Sequence, residues 1–425
     1  MKFTRISFIL VGLLVMGCLF FYAGCGGQGT PGGAMLPYGN YNTASPSPSV
    51  SGSATPSPTG TSSPGTGKET TLAQGLTNAF DLALSSDNTY VYWTQTGGSG
   101  GVYAAKTDGT TTTPQALATG TSGANAYSIC VSSAGYLYYS QFVGTGQGTI
   151  MRLKIPTTTG GSWGTAETYV SGLTNPAWVR ESNGIIYWTE FVQANGRFRR
   201  IQSSYTTQQI PTGGYTTAST EVETINSSQG FNYPYRFILD STTNNAIIAE
   251  LAGSGSNIWI TGMTKDSTPS KIFTDAQTCR YPTGLAYDNS NNYVYYANYQ
   301  ADTGVYRFKI KQTSGVYETV TTPEATVETG RWRAFYLFGP SAGKVYFSVN
   351  ETRANAGSIY SEDVSKITDA AVNVLGSNTT ATSPLQFVIS AGKYYWTEDP
   401  DFNTTTATCT GSSNCRVMKY DPTGK

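Results

Sequence analysis

The sequence predicts an all-β fold: a single seven-bladed β-propeller of four-stranded blades. Three observations predict it. The composition favours strands and turns, a pair of large side chains recurs seven times at near-constant spacing, and the last repeat lacks a strand that the N-terminal side can supply. The 425 residues include 30 tyrosines and 48 glycines, while only 12% are charged. Such a chain is poor in helix formers and rich in residues that fit a pleated, half-buried surface.

The recurring pair is Tyr92-Trp93, Tyr138-Tyr139, Tyr187-Trp188, Ile247-Ile248, Tyr295-Tyr296, Tyr346-Phe347 and Tyr395-Trp396, at intervals of 46 to 60 residues. A period near 50 is that of a propeller blade. Ahead of each pair, Leu82, Ile129, Val179, Phe237, Leu285, Phe335 and Phe387 align as an apolar column. Leu84, Val131, Glu181, Leu239, Tyr287, Leu337 and Ile389 follow two residues later. Alternation of this kind marks an inner strand with one packed face. A third strand is expected at Val102-Tyr103, Ile150-Met151, Arg197-Phe198, Ile258-Trp259, Val305-Tyr306, Ile359-Tyr360 and Val417-Met418. A short fourth is expected at Ala116-Leu117, Tyr169-Val170, Val222, Ile272-Phe273, Thr326-Val327 and Val374-Leu375.

The seventh repeat stops after its third strand. The segment Thr70–Asn78, TTLAQGLTN, resembles Thr168–Asn175, TYVSGLTN, which ends an earlier repeat. The N-terminal strand is therefore expected to complete the last blade and close the ring, leaving no sheet edge between first and last blades.

The YWT pairs, the lead-ins GLTNP and YPTGLAYD, and strands such as TGVYRFKI resemble the YWTD propellers of the low-density-lipoprotein-receptor type and their bacterial relatives. The resemblance covers 69–425 and implies the propeller fold. The receptor type has six blades where seven repeats are counted here, and Gln95, Glu190 and Glu398 stand in place of the motif's aspartate.

Residues 1–25 read as an export signal. Lys2 and Arg5 precede an apolar stretch that ends in Tyr-Ala-Gly-Cys, resembling a bacterial lipobox with Cys25 as the lipidated residue and Cys18 as the alternative. An uncleaved membrane anchor and a fully secreted chain are the alternatives for the same stretch. Residues 26–68 form a Gly/Pro/Ser/Thr tract too poor in large apolar side chains to fold, and are expected to tether the 69–425 propeller. The expected location is extracytoplasmic, on a bacterial membrane, with the propeller monomeric.

In that oxidising setting Cys409 and Cys415, flanking a five-residue loop, are expected to form a disulfide, and Cys130 and Cys279 to be buried free thiols. Twenty-six basic residues balance twenty-six acidic ones, so nothing points to nucleic acid. There is no histidine, which excludes histidine-based triads, imidazole acid–base chemistry and histidine-ligated metals. No catalytic residue, metal ligand or cofactor is assigned. Asp240 and Asp288, each at the end of an inner strand, are read as capping Asx turns, with calcium binding the alternative.

A ligand site is expected at the mouth of the channel, where each inner strand begins: Asp81, Ser128, Trp178, Arg236, Gly284, Ala334 and Gln386, with Arg180 beside them and Tyr235 on an aromatic lead-in. Replacing Trp178 and Arg236 together is expected to abolish binding and spare the melting temperature. The reading is a binding module for a protein or glycan. A carboxylate enzyme and a purely architectural envelope protein are the alternatives.

Metabolic labelling with radioactive palmitate tests the lipobox. Label should be lost in Cys25→Ala and retained in Cys18→Ala; the reverse pattern moves the anchor to Cys18.

Overall fold

The computed structural model describes residues 67–424 except 97–99, 111–112, 120–124, 145, 158–160, 228–229, 253–254, 276–278, 280, 299–303, 330–333, 350–357, 366–370, 376–382 and 399–414. The expected export signal, nearly all of the expected tether and Cys409 lie outside these residues. The expected pairing of Cys409 with Cys415, which is buried at the head of its strand, lies outside them too.

Seven antiparallel sheets form a ring. Their inner strands are Ala79–Leu84, Ala126–Val131, Pro176–Ser182, Pro234–Asp240, Pro282–Asp288, Ala334–Ser341 and Pro384–Ser390. In blade seven the strand Lys68–Leu76 pairs with the last strand, Cys415–Asp421, with Thr71 opposite Met418 and Leu76 opposite Cys415. The chain thus closes on itself as expected.

Why the pair repeats is visible in the packing. Successive residues of a strand point to opposite faces, so each pair serves two inter-blade contacts at once. Tyr92 packs toward blade two and Trp93 toward blade seven; Tyr138 packs toward blade three and Tyr139 toward blade one. The rule continues around the ring to Tyr395 and Trp396. All fourteen are buried, and a large apolar side chain contributes about 1.5–3 kcal/mol on burial.

The third residue of the motif is a latch. Thr94 Oγ1 accepts from Asp81 N of its own inner strand (3.2 Å) and donates to Tyr127 O of the next blade (2.7 Å). Ser140, Thr189, Ser348 and Thr397 repeat the arrangement, the last joining blade seven to Phe80 O of blade one (2.7 Å). Each inner strand carries an irregularity at this level, for example between Ala79 and Leu82. The amide displaced from the ladder there is the one the hydroxyl accepts from. Alanines 249 and 297 hold the position in blades four and five.

Three sequence expectations shift. In blade six Leu337, not Phe335, faces the motif residue Phe347; a slip of two preserves alternation, so apolar period alone could not detect it. In blade three Arg199 lies opposite Trp188, one residue beyond the expected register. The outer strands of blades three and six are Glu223–Thr224 and Val372–Asn373, beside rather than on the expected residues.

The long interval between the third and fourth repeats arises in part from an excursion after the third strand of blade three. Its Tyr215–Thr216 segment runs parallel to Glu167–Leu173 as a fifth strand of blade two.

Thr397→Val removes one latch and strands an N–H and a carbonyl. It should lower stability by about 1–3 kcal/mol, read as a lower urea midpoint with an unchanged far-ultraviolet spectrum. An unchanged midpoint would mean the hydroxyl is incidental.

Candidate binding site in the central channel

Each inner strand is flanked by blades on both faces and by its own second strand on one edge. The channel is the solvent it can meet along its length. The strands begin on the face that carries the turns between blades, here the loop face, and end on the hairpin face. Three levels of side chains follow from one to the other.

The first level holds Phe80, Tyr127, Ala177, Tyr235, Thr283, Phe335 and Leu385, all buried. Contacts cross the ring here. Phe80 of blade one meets Phe335 of blade six edge to face at 6.4 Å, and the hydroxyls of Tyr127 and Tyr235, two blades apart, are 2.7 Å from one another. Burial pushes the Tyr235 hydroxyl above the usual tyrosine range, so it remains a neutral hydrogen-bonding group. This level plugs the channel at the loop face.

The second level contains most of the residues singled out in the sequence. Asp81 Oδ2 accepts from Ser128 Oγ (2.8 Å) and Ile129 N (3.0 Å), and Ser128 Oγ accepts in turn from Val179 N (3.1 Å). Polar side chains therefore join blades one, two and three. Arg180 swings back to pair with Asp81 (3.1 Å) and Ser128 (3.0 Å), its guanidinium 4.2 Å from the Trp178 ring. Arg236 lies between aromatic faces, 4.5 Å from Trp178 and 4.4 Å from Tyr336, and Nη1 donates to Phe335 O at 3.4 Å. Gln386 completes the level; its amide has no hydrogen-bond partner among the described residues. Gly284 occupies the place in blade five because a Cβ there would lie 2.5 Å from Leu337 Cδ1.

The structure thus gathers Asp81, Ser128, Trp178, Arg180, Tyr235, Arg236 and Gln386 around one axis, but not at an open mouth. Trp178 and Arg236 are each 2% exposed and Gln386 1%, and only Arg180 of this set is partly exposed. Tyr336, not Ala334, holds the blade-six place, a consequence of the two-residue slip. The missed signal was the small or proline residue opening every inner strand, Ala79, Ala126, Pro176, Pro234, Pro282, Ala334 and Pro384, three positions before the packing column.

Outside the channel, Asp240 and Asp288 cap turns: their carboxylates accept from Thr242 N and Thr243 Oγ1, and from Ser290 N and the side-chain amide of Asn291. Cys130 and Cys279 are buried free thiols, and burial pushes Cys130 up to about 12. No group of three or more metal-binding side chains occurs among the described residues.

No protein-family model matches the sequence, and no curated protein matches it. Solved structures do. The WD40 β-propeller domain of Doa1 is similar at 12% identity and a TM-score of 0.51, over 82% of this chain and 96% of that one. A protein described as a putative 6-phosphogluconolactonase from Bacteroides fragilis NCTC 9343 is similar at 15% identity and a TM-score of 0.51, over 70% and 83%. At such identities the likeness establishes the propeller fold.

Burial changes what Trp178 does under mutation. Trp178→Ala opens a cavity beneath two guanidiniums and should cost about 3–5 kcal/mol. A thermal melt should therefore fall by several degrees, contrary to the sparing expected from sequence; an unmoved melt would mean the channel readily repacks.

Proposed function

We propose that this chain is a lipid-anchored, extracytoplasmic binding module, related to YWTD-type propellers, that presents its loop face to a protein or glycan. Lipidation at Cys25, the tether and a Cys409–Cys415 disulfide belong to this reading. The observation that carries it is a pair of tyrosines in an unfavourable backbone conformation. The residue preceding the inner strand is left-handed in blades one to five: Asn78, Asn125, Asn175, Tyr233 and Tyr281, with φ between 46° and 56°. Asparagine suits this site, and its Nδ2 reaches the carbonyl of Thr96, Phe142 or Phe191. A bulky aromatic residue there costs about 1–2 kcal/mol.

Two neighbouring blades bear that cost and so place Tyr233 and Tyr281, partly exposed, against the aromatic cluster that plugs the channel, on which Phe191 and Phe142 also pack. Tyr233 lies 4.9 Å from Phe191, ring to ring. Aromatic side chains with one wet edge are what protein hot spots and sugar platforms use, and strain retained at a surface points to use of that surface.

Binding is favoured over catalysis by the state of the buried carboxylates in the motif's fourth position. Glu190 pairs with Arg199, Glu250 accepts from Asn232 N and Asn257, and Glu398 accepts from Trp396 and Arg416. Each is thus tied to the frame of its own blade.

Exchanging both tyrosines for the asparagine used elsewhere, Tyr233→Asn and Tyr281→Asn, separates function from stability. The double variant should match or exceed the parent in urea midpoint, by about 1 kcal/mol per site, yet lose signal on a glycan array and in crosslinking from the loop face. Retained binding would remove this face from consideration.

A further inference from the structure

We propose that the channel is also a blind pocket, open at the hairpin face, that takes a small organic carboxylate with an apolar body. This site is separate from the aromatic loop face and rests on different observations. The first is where solvent reaches. The channel is plugged at its first level, and the second is buried except at Tyr336. At the third level Ala83, Arg180, Ile238, Phe338 and Val388 are all partly exposed. Exposure that rises from the first level to the third places the opening toward the hairpins.

The second observation is charge. Across the three levels of seven strands, from Ala79 to Val388, the charged residues are Asp81, Arg180 and Arg236. Two guanidiniums and one carboxylate leave an excess positive charge on the axis of a largely apolar tube. Low dielectric there makes a bound anion count for more than at the surface. Glu181 faces the hairpin rim, where its Oε1 accepts from Ser133 Oγ and Gly184 N.

The third observation is Gln386. It is 1% exposed, and both Oε1 and Nε2 lack a partner among the described residues. The reason is local. In blades one and two the side chain at this level accepts from the following blade's inner strand, as Asp81 does from Ile129 N and Ser128 from Val179 N. The corresponding donor for Gln386 is Leu82 N, which Asp81 Oδ1 already holds at 3.0 Å. The glutamine therefore stands between Tyr336 and Asp81 in the ring with neither its donor nor its acceptor satisfied among the described residues, which is unfavourable for a buried amide. A ligand that accepts from Nε2 relieves it.

The chemistry of the donors selects the ligand class. Arg180 spends Nη1 on Asp81, Ser128 and the carbonyls of Ile129 and Val179, and one Nη2 proton on Asp81 Oδ1. Its Nε–H and second Nη2–H, with no partner among the described residues, form the edge suited to a carboxylate on a side chain that is 24% exposed. The partly exposed Ile238, Phe338 and Val388 of the third level suit an apolar body. A phosphate would bring more unmet acceptors than these donors satisfy.

Calorimetry of the full chain in detergent tests this with benzoate, its neutral isostere benzamide, and inorganic phosphate as probes. Benzoate should bind about tenfold tighter than benzamide and tighter than phosphate. Gln386→Leu should weaken benzoate while holding or raising the melting temperature. Arg180→Lys, which keeps the charge opposite Asp81 but loses the fork, should weaken it as well. Tyr233→Asn/Tyr281→Asn should leave it unchanged. No benzoate binding, equal binding of benzamide, a preference for phosphate, or loss of benzoate only in the tyrosine variant would each overturn the proposal.

Discussion

Contact between neighbouring blades through the paired large residues of the second strand is the constraint on which the rest of this structure depends. No single four-stranded blade can bury both of its faces, and each pair resolves that by giving one side chain to each neighbour. Trp93 and Trp396 are wholly buried on this account, though neither lies near the axis. The latch hydroxyls then set the depth at which adjacent inner strands meet, since each ties a displaced amide to the next blade's carbonyl. Ring closure adds the last interface. Leu72 and Leu76 of the N-terminal strand pack with Trp93 and Tyr395, so blades seven and one share a core with a distant part of the chain. The cooperative unit is therefore the ring rather than the blade.

The same geometry explains why the channel is where the repeat breaks down. Second-strand residues must match two neighbours and so stay large and apolar from blade to blade. Inner-strand residues at the channel edge answer only to the axis, where seven side chains from seven blades compete for one space. The outcome is asymmetric: polar bonds join blades one to three, a stacked guanidinium spans blades three to six, and glycine fills blade five. A set of this kind closes the loop end of the channel and leaves the hairpin end accessible. Strained tyrosines above the plug and an amide with no partner among the described residues below it are local costs, each at a place where the repeating frame imposes none.

Much of this was legible in the amino-acid sequence. The number of blades, the pairs that join them and the strand that closes the ring follow from spacing and from the missing final strand, because a repeat that must pack on copies of itself keeps its chemistry visible. The residues of the axis were legible as a column that does not repeat: Asp81, Ser128, Trp178, Arg236 and Gln386 were all found that way. Tyr336 was not, because alternation has period two and a slip of two leaves it unchanged. Only the pairing of Leu337 with Phe347 revealed the register.

What the tertiary structure alone decided is which of these residues meet water. Exposure on a channel depends on the side chains contributed by every other blade at the same height, and no local pattern carries that information. Sequence placed Trp178 and Arg236 at a mouth; the ring places them beneath an aromatic plug, with the accessible end on the opposite face. The sequence by itself determined the frame, since each blade reads only its neighbours. The tertiary structure determined the site, since the axis reads all seven blades together.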